Sequence, residues 1–174
     1  RFESGGKSGS SSRGENGFFS SPAIVSELVL IGSRDGNLYA LDMVTGREEW
    51  RVKTDSKVNS SPTVFAGMAF FGSEDAHLYA VDILTGQLLW TFKAGAAVRS
   101  SPAASEGMVY FGSFDRYLYA LDSATGEERW RFFTGGPIVS SPAIAAGTVY
   151  FGSEDKNLYA LDSLTGSEKW RFKT

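Results

Sequence analysis

The sequence contains no cysteine, so it has no disulfide framework, no thiolate metal ligand and no thiol nucleophile. It has a single histidine, His77, which alone cannot build a zinc site. Apolar runs are only a few residues long, too short for a membrane-spanning helix. Lysine and arginine total 17 against 20 acidic residues, so there is no basic stripe to neutralise nucleic-acid phosphates. We therefore predict no nucleic-acid partner, no membrane insertion and no thiol chemistry.

Glycine and aromatic residues are abundant instead, with 20 Gly, 13 Phe, 7 Tyr and 4 Trp among the 174 residues. Aromatic side chains favour strands, and glycine supplies the backbone freedom that tight turns need.

The chain begins with Arg1 and shows no signal-peptide pattern, so we expect a fragment or a processed product.

The dominant feature is a repeat of 40 residues, which occurs four times without an insertion or deletion between residues 20 and 174. The shared frame begins with Ser-Ser-Pro and continues, after a variable stretch, as Gly-Ser-x-Asp-x-x-Leu-Tyr-Ala-x-Asp-x-x-Thr-Gly-x-x-x-Trp. Thirteen positions of the frame carry the same residue in all four copies. The residues that mark its phase are Pro22, Pro62, Pro102 and Pro142, and Trp50, Trp90, Trp130 and Trp170.

Each copy predicts four short strands separated by turn residues. The first begins at Ser-Ser-Pro, the second is an alternating aromatic run, the third is Leu-Tyr-Ala-Leu-Asp, and the fourth contains the tryptophan. Four such strands are typical of an antiparallel propeller blade, and blades stack because a lone sheet would leave both faces wet. We predict an all-β chain of four propeller blades, at residues 18–54, 55–94, 95–134 and 135–174, after an N-terminal segment at 1–17.

Carboxylates recur at two positions of the repeat, and we interpret both as turn residues. In Asp42-x-x-Thr45-Gly46 the Asp and Thr side chains can cap backbone N–H groups, while glycine accepts a positive φ. A catalytic group is needed once, whereas these carboxylates occur once per copy, so we predict no catalytic and no metal-binding residue. The two sets are Asp42, Asp82, Asp122 and Asp162, and Asp35, Asp75, Asp115 and Asp155.

Residues 40–50, Ala-Leu-Asp-Met-Val-Thr-Gly-Arg-Glu-Glu-Trp, resemble the tryptophan-docking motif A-x-D-x-x-T-G-x-x-x-W of the quinoprotein, or PQQ-enzyme, repeat family. The motif recurs at 80–90, 120–130 and 160–170 without a departure at its defining positions. The resemblance implies seven- or eight-bladed propellers in which the Trp of one blade packs against the Ala and Gly region of a neighbour. The structural residues that it implies are Ala40, Gly46, Trp50, Ala80, Gly86, Trp90, Ala120, Gly126, Trp130, Ala160, Gly166 and Trp170.

The same family contains quinone-dependent alcohol and glucose dehydrogenases, an outer-membrane assembly lipoprotein and sensor domains without catalysis. The resemblance implies a periplasmic location in a bacterium. Its cofactor-bearing members hold calcium in a cluster of acidic and amide side chains, and many add a disulfide between adjacent cysteines. This sequence has no cysteine and no such cluster outside the repeated turns, so we expect no cofactor. The alternative is a fragment of a PQQ-dependent dehydrogenase, which would bind PQQ and calcium.

Positions that differ between copies are the candidates for function, because folding already explains the shared ones. One such position precedes Ser-Ser-Pro and is occupied by Asn59 and Arg99, which would lie near the mouth of a central channel. Another is the hairpin turn of the third copy, where Phe114, Arg116 and Tyr117 form a composition favoured at interfaces. These five residues are the predicted ligand or interface surface, and drift on a solvated loop is the alternative.

The ends of the chain have the same phase within the repeat. Residues 1–6 resemble residues 131–136, which end a blade, and the glycine- and serine-rich stretch after them predicts a flexible loop. A four-bladed ring would need a turn of about 90° per blade, against about 45–51° in rings of eight or seven. We therefore expect an open arc, which a second copy completes as an eight-bladed homodimer.

The sequence supports three alternative hypotheses for function. The first is a non-catalytic propeller module that presents its loops and channel to a protein or a small ligand. The second is the dehydrogenase fragment already described. The third is an engineered or recently amplified repeat array without a ligand, because the third and fourth copies are identical at 25 of 40 positions.

Overall fold

The computed structural model describes residues 17–174, which form sixteen β-strands and no helix. The first sheet contains β1 (Ala23–Val25), β2 (Leu28–Gly32), β3 (Asn37–Asp42) and β4 (Glu48–Lys53). The second contains β5 (Thr63–Phe65), β6 (Met68–Gly72), β7 (His77–Asp82) and β8 (Leu88–Lys93). The third contains β9 (Ala103–Ser105), β10 (Met108–Gly112), β11 (Tyr117–Asp122) and β12 (Glu128–Phe133). The fourth contains β13 (Ala143–Ala145), β14 (Thr148–Gly152), β15 (Asn157–Asp162) and β16 (Glu168–Lys173).

Every sheet is an antiparallel meander, in which each strand pairs with its neighbour in sequence. The all-β prediction and the four-stranded blades are thereby confirmed. The four sheets lie within the ranges predicted for the four blades, whereas residues 1–16 of the predicted N-terminal segment lie outside the described residues. Residues 17–174 include no helix with the length and apolar character needed to cross a membrane.

Tight turns join the strands because the turn residues adopt left-handed backbone angles. Ala66 and Gly67 connect β5 to β6 with φ of 50° and 78°, the combination required by the two-residue turn that suits strand twist. The hairpin between the second and third strands is less dependent on glycine. At its left-handed position Gly36 is replaced in the later blades by Arg116 and Lys156, with φ of 76° and 72°.

The blades converge on their first strands, since β1, β5, β9 and β13 contact one another in succession. Serines of the Ser-Ser-Pro frame connect these inner strands. The backbone N–H of Ser21 donates to Ser61 Oγ at 2.8 Å, that of Ser61 to Ser101 Oγ at 2.9 Å, and that of Ser101 to Ser141 Oγ at 3.2 Å. The first strand is therefore the inner strand of each blade, and the fourth is the outer one.

The hydrophobic core lies between blades rather than within any one of them. Three clusters of buried side chains each combine residues of two successive blades. In the middle cluster, Phe70 and Leu78 of the second blade pack with Phe111 and Leu121 of the third. Stacking of blades therefore supplies the apolar burial that a single four-stranded sheet could not provide.

Candidate functional site

The tryptophan of each of the first three blades lies on a turn of the following blade. The indole N–H groups of Trp50, Trp90 and Trp130 donate to backbone carbonyls at 3.2, 3.1 and 3.1 Å. The accepting carbonyls belong to Ile83, Ser123 and Ser163.

Each of these indole rings covers a glycine of the same turn. A Cβ atom added to Gly86, Gly126 or Gly166 would lie 2.7 Å from the nearest atoms of the tryptophan ring, which is closer than a real Cβ approaches. All three glycines also have φ near 70°, so both the space and the backbone angle favour glycine.

The alanines of the predicted set occupy a different place. Ala40, Ala80, Ala120 and Ala160 are the register partners of the tryptophan in their own blade. All four are fully buried.

The fourth tryptophan and the first glycine of this set have no such contact within residues 17–174. Trp170 is 45% exposed. A Cβ added to Gly46 would have no atom within 4 Å. The first and last described blades thus each present one half of a contact that recurs three times between them.

The carboxylate of the Gly-Ser-x-Asp frame binds groups within its own turn and from the preceding connection. Asp75 accepts from the Tyr79 hydroxyl at 2.8 Å and from the Asp55 backbone N–H at 3.0 Å. Burial alone would raise the pKa of Asp75, but these hydrogen bonds, with those from His77 and Ser73, outweigh it and lower the pKa. Burial and the Asp155 carboxylate raise the pKa of Tyr159 to about 12 in the equivalent pair. At neutral pH the Asp75 carboxyl group is therefore ionised and the Tyr159 hydroxyl is neutral.

The second set of carboxylates caps the turn between the third and fourth strands. Asp42 Oδ1 accepts from the backbone N–H groups of Val44 and Thr45 and from the Thr45 hydroxyl, as predicted from the turn sequence. In the third blade Asp122 additionally accepts from Arg129 at 2.8 Å. That guanidinium, followed by the backbone N–H of Thr125, lowers the pKa of Asp122 to about 2.

We expect the stability of the chain to fall in acid as these caps are protonated. An unfolded Asp has a pKa of about 3.9. Because the pKa of Asp122 is lower in the folded chain, its carboxylate stabilises the fold at pH values above the unfolded pKa. This stabilisation is lost as the pH falls through about 2. Urea unfolding at pH values between 6 and 2 measures this loss. Asp122→Asn should depend less on pH than the parent chain, and an unchanged dependence would contradict the assignment.

Two of the five predicted surface residues bind one acidic side chain, and a third packs against one of them. Asn59 Nδ2 and Arg99 Nε both donate to Glu74 Oε1 at 2.7 Å. The Arg99 guanidinium also lies over the Phe114 ring, 4.8 Å from its centroid. Glu74 is absent from the predicted surface, although it occupies the same repeat position as Phe114.

The other two predicted residues belong to a separate cluster. Tyr117 packs against Phe133 of β12 with ring centroids 5.1 Å apart, and the Arg116 guanidinium lies 5.6 Å from the Phe133 centroid. The Arg131 guanidinium lies over Tyr117 at 5.0 Å. The structure therefore divides the hairpin turn, so that Phe114 faces the preceding connection while Arg116 and Tyr117 face the outer strand.

The described carboxylates do not fit a calcium ion. Calcium takes about 6–8 oxygen ligands, whereas residues 17–174 contain no group of three or more His, Cys, Asp or Glu side chains that could hold a metal. The repeated Asp residues are dispersed at one per turn, and each is already hydrogen-bonded within its turn. No catalytic step through a quinone and calcium can be assigned to these residues.

A family model described as outer membrane protein assembly factor BamB matches residues 3–104 and 85–174. None of the curated proteins matches the chain. BamB from Moraxella catarrhalis superposes with a TM-score of 0.75 at 24% identity, over 84% of this chain and 50% of that one.

Two other solved structures share the fold. Quinohemoprotein alcohol dehydrogenase ADHIIG from Pseudomonas putida HK5 gives a TM-score of 0.83 at 22% identity, over 92% of this chain and 34% of that one. The computationally designed Ika4 protein gives 0.77 at 19% identity, over 85% of this chain and 92% of that one.

The stacked meanders and their tryptophan contacts define a β-propeller repeat protein. The family match over both halves shows that the chain belongs to the outer membrane protein assembly factor BamB family, whose blades are PQQ-like repeats. The predicted membership of the PQQ-like repeat family is thereby confirmed. The chain spans half the length of the Moraxella catarrhalis BamB structure.

Proposed function

We propose that this chain is a non-catalytic propeller module that binds or scaffolds another protein or a small ligand. The observation that carries the proposal is the structural use of the polar side chains that all copies share. The turn carboxylates, the frame serines and the tyrosine hydroxyls bond within the blades or between them, as in Asp42, Ser61 and Tyr79. The positions at which the blades differ are therefore the candidates for binding a partner or ligand.

Membership of this family supports both the proposed binding role and a proposed location for the chain. The matching family is named for outer membrane protein assembly, and we place this chain accordingly in the periplasm of a bacterium. The candidate surface near the inner strands is the group of Asn59, Glu74, Arg99 and Phe114, which combines an amide, both charges and an aromatic ring.

A quinone-dependent activity is the outcome that would overturn the proposal. The chain is incubated with PQQ and calcium, and alcohol oxidation is followed by reduction of an artificial electron-accepting dye. We expect no turnover above that of the cofactor alone. Dye reduction that saturates with alcohol and requires the folded chain would contradict a non-catalytic role.

We also propose that two copies close one eight-bladed ring. The exposed face of the last blade carries the residues that the inner blades use for stacking. Phe172 is 61% exposed, whereas its counterpart Phe132 packs against Phe151 with ring centroids 6.4 Å apart. Leu158 is 39% exposed, whereas Leu118 is fully buried. Trp170 of one copy would cover Gly46 of the other, and a twofold axis would repeat the contact.

Ring closure predicts a mass in solution of twice the 18.8 kDa of one chain. Trp170→Ala and Gly46→Val should each return the mass to one chain, because each removes one half of the contact between copies. Sedimentation equilibrium measures the mass, and circular dichroism checks that the sheets remain.

Gly107→Val is the matched control for the glycine variant. Gly107 has a positive φ similar to that of Gly46, and a Cβ added there also has no atom within 4 Å. It lies on the third blade, however, rather than on the first or the last. It should leave the mass unchanged. A folded parent chain with the mass of a single copy would exclude the proposed dimer.

A further inference from the structure

The outer strand of each blade is an edge strand, because it pairs with the third strand alone. Exposed edges offer unpaired backbone N–H and C=O groups to any other strand, and soluble proteins protect them with charged side chains. The four outer strands of this chain are β4, β8, β12 and β16. Because these strands occupy equivalent positions in the repeat, their exposed side chains can be compared directly.

Three of these edges carry the same ion pair. An arginine one residue after the tryptophan meets a glutamate two residues before it. The pairs are Arg51 with Glu48 at 2.8 Å, Arg131 with Glu128 at 3.6 Å, and Arg171 with Glu168 at 2.8 Å. These strands fit the expected pattern of a protected edge.

The edge of the second blade lacks this protection. Leu88 and Thr91 stand where the other blades have glutamate and arginine, and Leu89 stands at a position that is charged in the other three. Leu88 and Leu89 are 49% and 47% exposed. Leu84 on the adjoining turn is 68% exposed, as are its counterparts Val44 at 83% and Leu164 at 67%. A bulge lies near Leu89, after which β8 pairs regularly from Trp90 to Lys93.

The same replacement uncovers an aromatic ring. In the first and fourth blades an arginine guanidinium lies over the tyrosine of the third strand, as Arg51 does over Tyr39 at 5.7 Å. Thr91 is the register partner of Tyr79 and is too short to do the same. Tyr79 is half-buried, whereas Tyr119 and Tyr159, whose register partners are Arg131 and Arg171, are each only 3% exposed.

An acidic cavity adjoins this apolar edge. Its volume is about 740 Å³, and it lies where the first blade meets the turn before β8. The residues that line it are Ser26, Glu27, Leu28, Asp42, Glu49 and Leu84. Arg47 pairs with Glu49 at 3.0 Å. The hydrogen bonds of Thr45 and then the charge of Arg47 lower the pKa of Asp42, so three carboxylates of the lining share this one arginine. The excess of negative charge in the cavity favours a cation beside Leu84.

We propose that β8 is a docking edge for an extended segment of a partner protein, which adds to the second blade as a fifth strand. The segment would carry apolar side chains against Leu88, Leu89 and Tyr79, and a lysine or arginine that reaches the cavity beside Leu84. Backbone hydrogen bonds supply affinity in this binding mode, and side-chain pockets supply selectivity. The proposal rests on the proposed binding function but not on ring closure, because β8 lies on the outer side of the arc.

The test uses fluorescein-labelled peptides and fluorescence anisotropy with the full chain. The probe is a peptide of alternating valine and threonine with lysine at both ends, so that either strand direction places a cation near the cavity. We expect saturable binding. A peptide with glutamate at both ends, and one with N-methyl groups on alternate residues, should each bind at least about tenfold more weakly.

Variants borrowed from the third blade locate the site. Leu88→Glu, Leu89→Arg and Thr91→Arg together give β8 the charged residues that β12 already tolerates, and should abolish binding. The reciprocal changes Glu128→Leu, Arg129→Leu and Arg131→Thr should create a second apolar edge and raise the number of bound peptides. Both variants are checked by circular dichroism.

Several outcomes would overturn the docking edge. Equal binding to the parent chain and to the β8 variant would place the peptide elsewhere, and absence of binding would exclude this class of partner. Self-association of the parent chain that the β8 changes abolish would assign the edge to a second copy instead. Ring closure is judged separately, because the Trp170→Ala variant should retain the peptide whether or not the dimer forms.

Discussion

Trp90→Ala is expected to lower the free energy of unfolding by about 3 kcal/mol, at the lower end of the cost of deleting a buried tryptophan side chain. The indole joins the second blade to the third through its bond to the Ser123 carbonyl and its contact with Gly126. It also packs against Phe70, with ring centroids 5.7 Å apart. Removal would leave a cavity at the blade interface and an unpaired carbonyl.

Urea unfolding at two chain concentrations measures this loss, and Trp170→Ala is the matched control. Trp170 has the same place in its blade but is 45% exposed and covers no glycine of residues 17–174. Trp170 packs against Tyr150 of its own blade, with ring centroids 5.8 Å apart, so its replacement should lose only that contact at low concentration. It should also remove the concentration dependence that association adds to stability. Equal losses from both variants at low concentration would show that contact with the next blade is not what makes Trp90 stabilising.

Gly126→Ala is expected to cost about 3 kcal/mol, of which about 1 kcal/mol comes from the positive φ and the rest from overpacking. The added Cβ would lie 2.7 Å from the Trp90 ring. The ring cannot retreat freely, because its N–H is bonded to Ser123 of the same turn. Either the turn moves away from the second blade or the indole leaves its carbonyl.

Gly107→Ala separates the two contributions. Gly107 has φ of 78°, against 75° for Gly126, and an added Cβ there meets no atom within 4 Å. Its replacement should cost only the backbone strain, about 1 kcal/mol. Chemical denaturation of the two variants gives the difference directly. If both lose the same stability, the close approach of Trp90 to glycine contributes nothing measurable.

The turns of each blade could be predicted from sequence because their causes are local. Asp42, Thr45 and Gly46 specify a capped turn through contacts that span only three or four residues. The alternation of apolar and polar residues likewise predicts strands, and the period of 40 residues predicts identical blades. Such features depend little on what the rest of the chain does.

The candidate surface was predicted only in part, because its contacts join residues far apart in sequence. Phe114 and Arg116 are two residues apart, yet one stacks on Arg99 and the other faces Phe133. Arg116 itself has a left-handed backbone angle, with φ of 76°, within this turn. Glu74 binds both Asn59 of its own blade and Arg99 of the next, a contact that exists only where two blades lie side by side.

The sequence by itself determined the blade, its turns and the phase in which the tryptophans recur, because each depends on backbone preferences that act within a few residues. Tertiary structure alone decided which tryptophan covers which glycine and which edge is unprotected. Stacking brings Trp90 onto Gly126, 36 positions away in sequence, and leaves Leu88 and Leu89 on an outer strand. Burial and exposure are properties of the assembled blades, because they depend on contacts between residues of different copies.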